Sequence, residues 1–83
     1  MAFNSKYQKE NRINRGLNGI VYKVLDKTEN KYYALKINDD KEEYEKEIEV
    51  MKNIKSKYTI QLKDYFIDEI EGYCIVMNYV MEI

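Results

Sequence analysis

Asn14-Arg15-Gly16-Leu17-Asn18-Gly19-Ile20-Val21-Tyr22-Lys23 is the stretch on which the fold turns. Its Asn-Gly pair is among the strongest short signals for a hairpin turn. The β-branched and aromatic residues that follow, over 20–25, read as the return strand. The mixed polar and apolar residues 7–15 supply the strand that enters the turn. Outward from this hairpin, Asp26-Lys27-Thr28-Glu29-Asn30 makes a second turn and residues 31–37 a third strand.

The period then changes. Asp40-Lys41-Glu42-Glu43 fits a capping box, with residues 38–40 as the connection from the strand. Beyond it Tyr44, Ile48, Met51 and Ile54 fall on one stripe, which predicts an amphipathic helix over residues 41–55. Residues 58–67 and 72–80 read as two further strands, joined through Asp68-Glu69-Ile70-Glu71. Three strands, a helix and two strands with hairpin-length links predict an α+β domain, a five-stranded antiparallel sheet with one packed helix. Residues 1–6 read as a flexible tail and 7–83 as the domain.

Two charged residues stand out within this frame. Ala34 and Lys36 share one face of their strand, with Tyr33, Leu35 and Ile37 on the other. A lysine on an alternating strand is ordinarily a solvated one. Glu47, in a helix rich in glutamate, lies three residues after Tyr44 and four before Met51, on the apolar stripe. A carboxylate facing a core needs a partner, and Lys36 on the preceding strand is the natural one.

Composition removes several classes of function. Fourteen basic residues balance fifteen acidic ones, for a net charge of −1, which gives no basic field for nucleic acid or an anionic membrane. There is no histidine, so imidazole acid–base chemistry and ordinary zinc sites are absent. The single cysteine, Cys74, excludes an internal disulfide, and its apolar neighbours mark it as a small buried hydrophobe. No stretch is long and apolar enough to span a bilayer, and the start carries neither a signal-peptide run nor the glycine needed for myristoylation. A cytoplasmic location is expected.

Taken in order, the glycine hairpin, Tyr33-Ala34-Leu35-Lys36, the helical Glu47 and Cys74-Ile75-Val76-Met77-Asn78-Tyr79-Val80 resemble the N-terminal, ATP-binding lobe of a eukaryotic-type protein kinase. The resemblance runs over nearly the whole chain, from Tyr7 to Met81. It implies that Gly16 and Gly19 are the second and third glycines of a loop over the ATP phosphates. Asn14 stands where the family has its first glycine, and Ile13 is the apolar residue before the loop. By the same resemblance Val21 and Ala34 flank the adenine, and Lys36 meets the α- and β-phosphates while paired with Glu47. Met51 and Leu62 would belong to a packed spine, Met77 would be the gatekeeper, and Asn78, Tyr79 and Val80 the hinge. Adenine would be bound there by the backbone of Asn78 and Val80. Taken alone, Asn18-Gly19 is also just a hairpin turn, and Met51, Leu62 and Met77 are also ordinary core. The chain departs from the family in three places: Asn14, Asn78 where an acidic residue is usual, and only eleven positions between Lys36 and Glu47.

The resemblance also says what is missing. Phosphoryl transfer in kinases needs the His-Arg-Asp and Asp-Phe-Gly segments of the second lobe, which hold the catalytic aspartate and the magnesium ligands. Neither occurs in this chain, and no Gly-x-x-x-x-Gly-Lys-Ser/Thr loop offers another phosphate chemistry. The leading expectation is therefore the ATP-binding lobe of a Ser/Thr-type kinase, truncated before its catalytic lobe and inactive alone. The alternative is a stand-alone kinase-like lobe acting as a protein-binding or regulatory module. An unrelated α+β interaction domain comes third. The expected partners are ATP and a kinase C-lobe, a regulatory protein or a second copy. Such partners would cover an apolar underside around Val21, Ala34, Met77 and Tyr79.

Overall fold

The computed structural model describes residues 2–3, 6–16, 19–53 and 61–78, with the side chains of all but 2–3 and 13–16 among them. Strand β1 is Ala2–Phe3, β2 Tyr7–Gly16, β3 Gly19–Asp26 and β4 Lys31–Asn38; helix α1 is Lys41–Lys52, and strands β5 Leu62–Asp68 and β6 Gly72–Asn78 follow. All neighbours are antiparallel, in the order β1-β2-β3-β4-β6-β5. Five of these strands, β2 to β6, form the expected sheet against which the helix packs. The sixth, Ala2–Phe3, pairs with Tyr7 and Gln8 in a stretch expected as a tail.

Local chemistry explains the boundaries. The Asp40 side chain accepts from the Glu42 amide at 2.9 Å and so fixes the start of α1, and the Tyr44 amide bonds the Asp40 carbonyl. The helix ends at Lys52, with the Asn53 carboxamide donating to the Glu49 carbonyl at 2.9 Å. That is earlier than the stripe alone suggests; Ile54 and Lys55 lie outside the described residues. The β3–β4 turn is held by Asp26, whose Oδ1 accepts from Thr28 and Glu29 amides, and Asn30 takes a left-handed φ of 56°.

The sheet buries both faces. On the helix side, Tyr44 and Ile48 of α1 pack on Ile75 of β6, with Met51, Leu62, Tyr73 and Met77 around them. On the far side Tyr7, Val24, Leu35, Cys74 and Val76 are fully buried, flanked by Tyr22, Tyr33, Ile37 and Phe66. Among the described residues no helix covers that second face. It is closed by curvature: Tyr7 of β2 stacks on Phe66 of β5, centroids 5.9 Å apart, although three strands separate them. Bulges in β2 and β5 supply the bend, since an extra residue kinks its strand and increases its twist. The Tyr7 hydroxyl donates to Asp64 at 3.0 Å, and burial first, then this bond, raises its pKa.

Candidate functional site

Antiparallel pairing places directly opposed side chains on the same face. Val21 of β3 lies opposite Lys36 of β4, and Lys36 opposite Ile75 of β6. One row further along, Ala34 lies between Lys23 and Met77, and Met77 is opposite Leu62. Val21, Ala34, Lys36 and Met77 therefore share one side of the sheet, the side on which α1 packs. These four come from three strands in a contiguous patch.

Above this patch α1 presents Glu47 on the flank of its Tyr44–Ile48 stripe. Its Oε1 meets the Lys36 Nζ at 2.5 Å. The contact closes over eleven positions because β4 runs through Asn38, leaving only Asp39 and Asp40 before the helix. With side-chain exposures of 21% and 27%, the pair adds at most about 1 kcal/mol to stability. Its larger effect is geometric: a flexible ammonium is held over the patch instead of sampling solvent.

The glycine hairpin enters from the end of β2. Asn14 pairs with Val21 and Gly16 with Gly19, and Ile13 sits at a register shift in β2. Leu17 and Asn18, at the tip, lie outside the described residues. Gly19 has φ +149°, and a Cβ there would lie 1.9 Å from the Ile37 carbonyl oxygen. No other residue fits that position without moving β3 off β4.

At the far end of the patch Asn78 closes β6. Its amide donates to the Gln61 carbonyl at 3.2 Å, and its Oδ1 accepts the Gln61 amide at 2.7 Å. The Asn78 side chain thus ties the end of β6 to the residue that enters β5. Tyr79 and Val80 lie outside the described residues. The underside is less bare than expected, since Ala34 is buried, Val21 and Met77 are half-buried, and Met77 packs against the helix cluster. Among the described residues the large exposed apolar side chains are instead Tyr32, Val50, Tyr65, Ile67 and Ile70.

Two polar features escaped the sequence reading. Lys63, the extra residue in the β5 bulge, reaches Asp26 at 3.4 Å and Glu29 at 3.6 Å on the face away from the patch. Tyr33 donates to Glu29, a bond that comes ahead of burial in pushing its hydroxyl up to about 12. Asn38, expected as connection, is instead the fully buried last residue of β4. Aspartate at a strand end is a turn signal in sequence; only the coiling of the sheet makes this one a counter-ion.

Among the described residues no group of acidic or cysteine side chains could hold a metal, and no helix is long and apolar enough to cross a membrane. No curated protein matches the chain at a significant level. A family model for the protein kinase domain matches residues 7–83.

Proposed function

The chain belongs to the protein kinase domain family, matched over residues 7–83, and on that premise we propose that it is the ATP-binding lobe of a Ser/Thr-type kinase. The observation that carries this is the Lys36–Glu47 contact, made on the face shared by Val21, Ala34 and Met77. A nucleotide laid on that face meets a small residue where a flat ring must slide in, an ammonium already aimed, and two strand ends, at Gly16 and Gly19, that carry no side chain. Phosphate oxygens can approach backbone amides there because nothing projects from Gly16 or Gly19. At Asn78 the N–H is committed to Gln61, so an adenine contact at that residue rests on its carbonyl.

The chain on its own binds ATP weakly and transfers no phosphate. It supplies one wall of a pocket, whereas ligand sites of ordinary affinity bury most of the ligand. The groups that would hold magnesium and orient a hydroxyl have no counterpart in its sequence. Incubation with radiolabelled ATP, magnesium and a generic protein substrate tests this: labelling stays at background. Magnesium-dependent labelling that disappears in Lys36→Ala would overturn it.

A second reading, a protein-binding module, draws on Val50 of α1 and Tyr65, Ile67 and Ile70 in and beside β5. They are 61%, 41%, 66% and 73% exposed. Exposed apolar side chains that adjoin one another tend to be covered by association. Sedimentation over a range of concentrations separates the readings, since a strictly monomeric chain leaves the module without a physical motive.

A further inference from the structure

Among the described residues β5 is an outermost strand, since the sheet runs β1-β2-β3-β4-β6-β5. An outermost strand offers a row of backbone groups to any second strand, and proteins ordinarily blunt it with proline, lysine or a bulge. Here the bulge and its lysine, Lys63, stand at the start of β5. From Asp64 to Asp68 the strand is regular, Asp-Tyr-Phe-Ile-Asp, and carries neither proline nor lysine. Tyr65 and Ile67 lie opposite Ile75 and Tyr73, on the face where α1 packs, yet they are 41% and 66% exposed. The Tyr65 amide is turned away from β6 and donates to Oδ1 of Asp64, its own neighbour, at 2.8 Å. Backbone groups alternate in direction along a strand, so those of Ile67 point outward as well.

We propose that this edge pairs, antiparallel, with the same edge of a second copy of the chain, about a two-fold axis at Phe66. The pairing rests on the protein-binding reading above, for which it supplies the occupant, and owes nothing to the nucleotide. The bulge at one end and the turn at the other set the register, because Phe66 is the centre of the regular stretch. Tyr65 then faces Ile67 of the second copy, and this happens twice. The outward backbone groups of each meet those of the other, and the Tyr65 amide passes from the Asp64 carboxylate to a carbonyl across the axis. An aromatic and a β-branched side chain directly opposed make a favourable cross-strand pair. Charge is complementary too. The Lys52 ammonium stands over the Tyr65 ring, 5.1 Å from its centroid, so this flank of α1 faces β5. Glu45, seven residues earlier, shares the flank, at the end where Tyr44 packs on Tyr73 and hence beside Ile67. The two-fold axis therefore brings Lys52 of each copy towards Glu45 of the other. Strands ~4.8 Å apart keep the two helices within reach of these long side chains. On the far face Asp64 of each copy meets Asp68 of the other. That repulsion, with only a short paired edge, makes a weak, reversible dimer, under the ~1,200 Å² of a stable interface.

Sedimentation of the full chain from micromolar to millimolar concentration, with amide exchange at Tyr65 and Ile67, tests this. The wild type should dimerise reversibly, and exchange at both amides should slow as concentration rises. Ile67→Lys alters a side chain already exposed in the monomer, and it should weaken the dimer about tenfold by removing two cross-strand pairs. Lys52→Glu should weaken it as well, and combining Lys52→Glu with Glu45→Lys should restore it, which a merely structural role would not do. Urea midpoints at low concentration check that each variant folds. Val50, three residues after Glu47, lies on the opposite flank of α1, towards Lys36. A dimer that Ile67→Lys leaves intact and Val50→Lys abolishes overturns the edge pairing while the protein-binding reading stands. A chain that is monomeric throughout overturns both. Species that grow beyond two copies also overturn the pairing, since a two-fold interface closes on itself.

Discussion

Lys63 of β5 and Asp26 of β3 meet at 3.4 Å across the back of the sheet, although two strands lie between theirs. The contact bolts the coiled sheet shut beside the Tyr7–Phe66 stack. Asp26 is fully buried, so Lys63→Met strands a carboxylate without its counter-ion and lowers stability by on the order of 3 kcal/mol. Urea unfolding measures this directly, and an unchanged midpoint would show that the bolt is ornamental.

The same carboxylate predicts the response to acid. Burial pushes the Asp26 pKa up, but the Glu29 and Thr28 amides and the Lys63 ammonium together outweigh it and hold the group below its usual range. A pKa lower in the folded chain than in the unfolded one gives stability that is present above the unfolded value, near 4, and is lost as pH falls through the folded value. Asp26→Asn removes that loss. Unfolding midpoints measured from neutral pH down to about pH 3 should fall less steeply in the variant than in the wild type.

Gly19 and Gly72 both have positive φ, +149° and +100°, yet they differ in what an added methyl group would meet. At Gly19 it strikes the Ile37 carbonyl at 1.9 Å; at Gly72 the nearest atom is the Asn38 carbonyl at 3.6 Å. Gly72→Ala therefore pays backbone strain alone, about 1 kcal/mol, and Gly19→Ala costs at least ~2 kcal/mol more by parting β3 from β4. Equal midpoints for the two variants would contradict the close approach.

Cys74 is fully buried, and that burial pushes its thiol up to about 12. In the native chain it should resist a thiol reagent at mildly alkaline pH and react at once in urea, because the thiolate is the reactive form. Rapid labelling without denaturant would place Cys74 outside the core.

What the sequence made legible was local. The Asn-Gly turn, the alternation around Ala34 and Lys36 and the stripe carrying Glu47 each depend on neighbours within one or two turns of chain. Coiling of the sheet is different, since it depends on single extra residues in β2 and β5 that shift register without disturbing the pattern. Hence Lys63 reads as a solvated lysine and Asp26 as a turn residue until the strands are bent. Asn38 escaped for a related reason, because a polar residue at a strand end ordinarily signals a loop. Of the site, the patch is built from described residues, whereas the hairpin tip and Val80 are not among them.

Lys36 and Glu47 carry the central claim, and titration with magnesium–ATP followed by 15N amide shifts tests it most directly. Lys36→Ala should leave the unfolding midpoint within about 1 kcal/mol of wild type, because the pair is partly solvated. The account predicts weak, saturable shifts at Val21, Ala34, Lys36, Met77 and Asn78 in the wild type, with affinity at least ~tenfold lower in Lys36→Ala and in Glu47→Gln. Shifts confined to the opposite face around Val24, Leu35 and Val76, or an affinity indifferent to both substitutions, would contradict it.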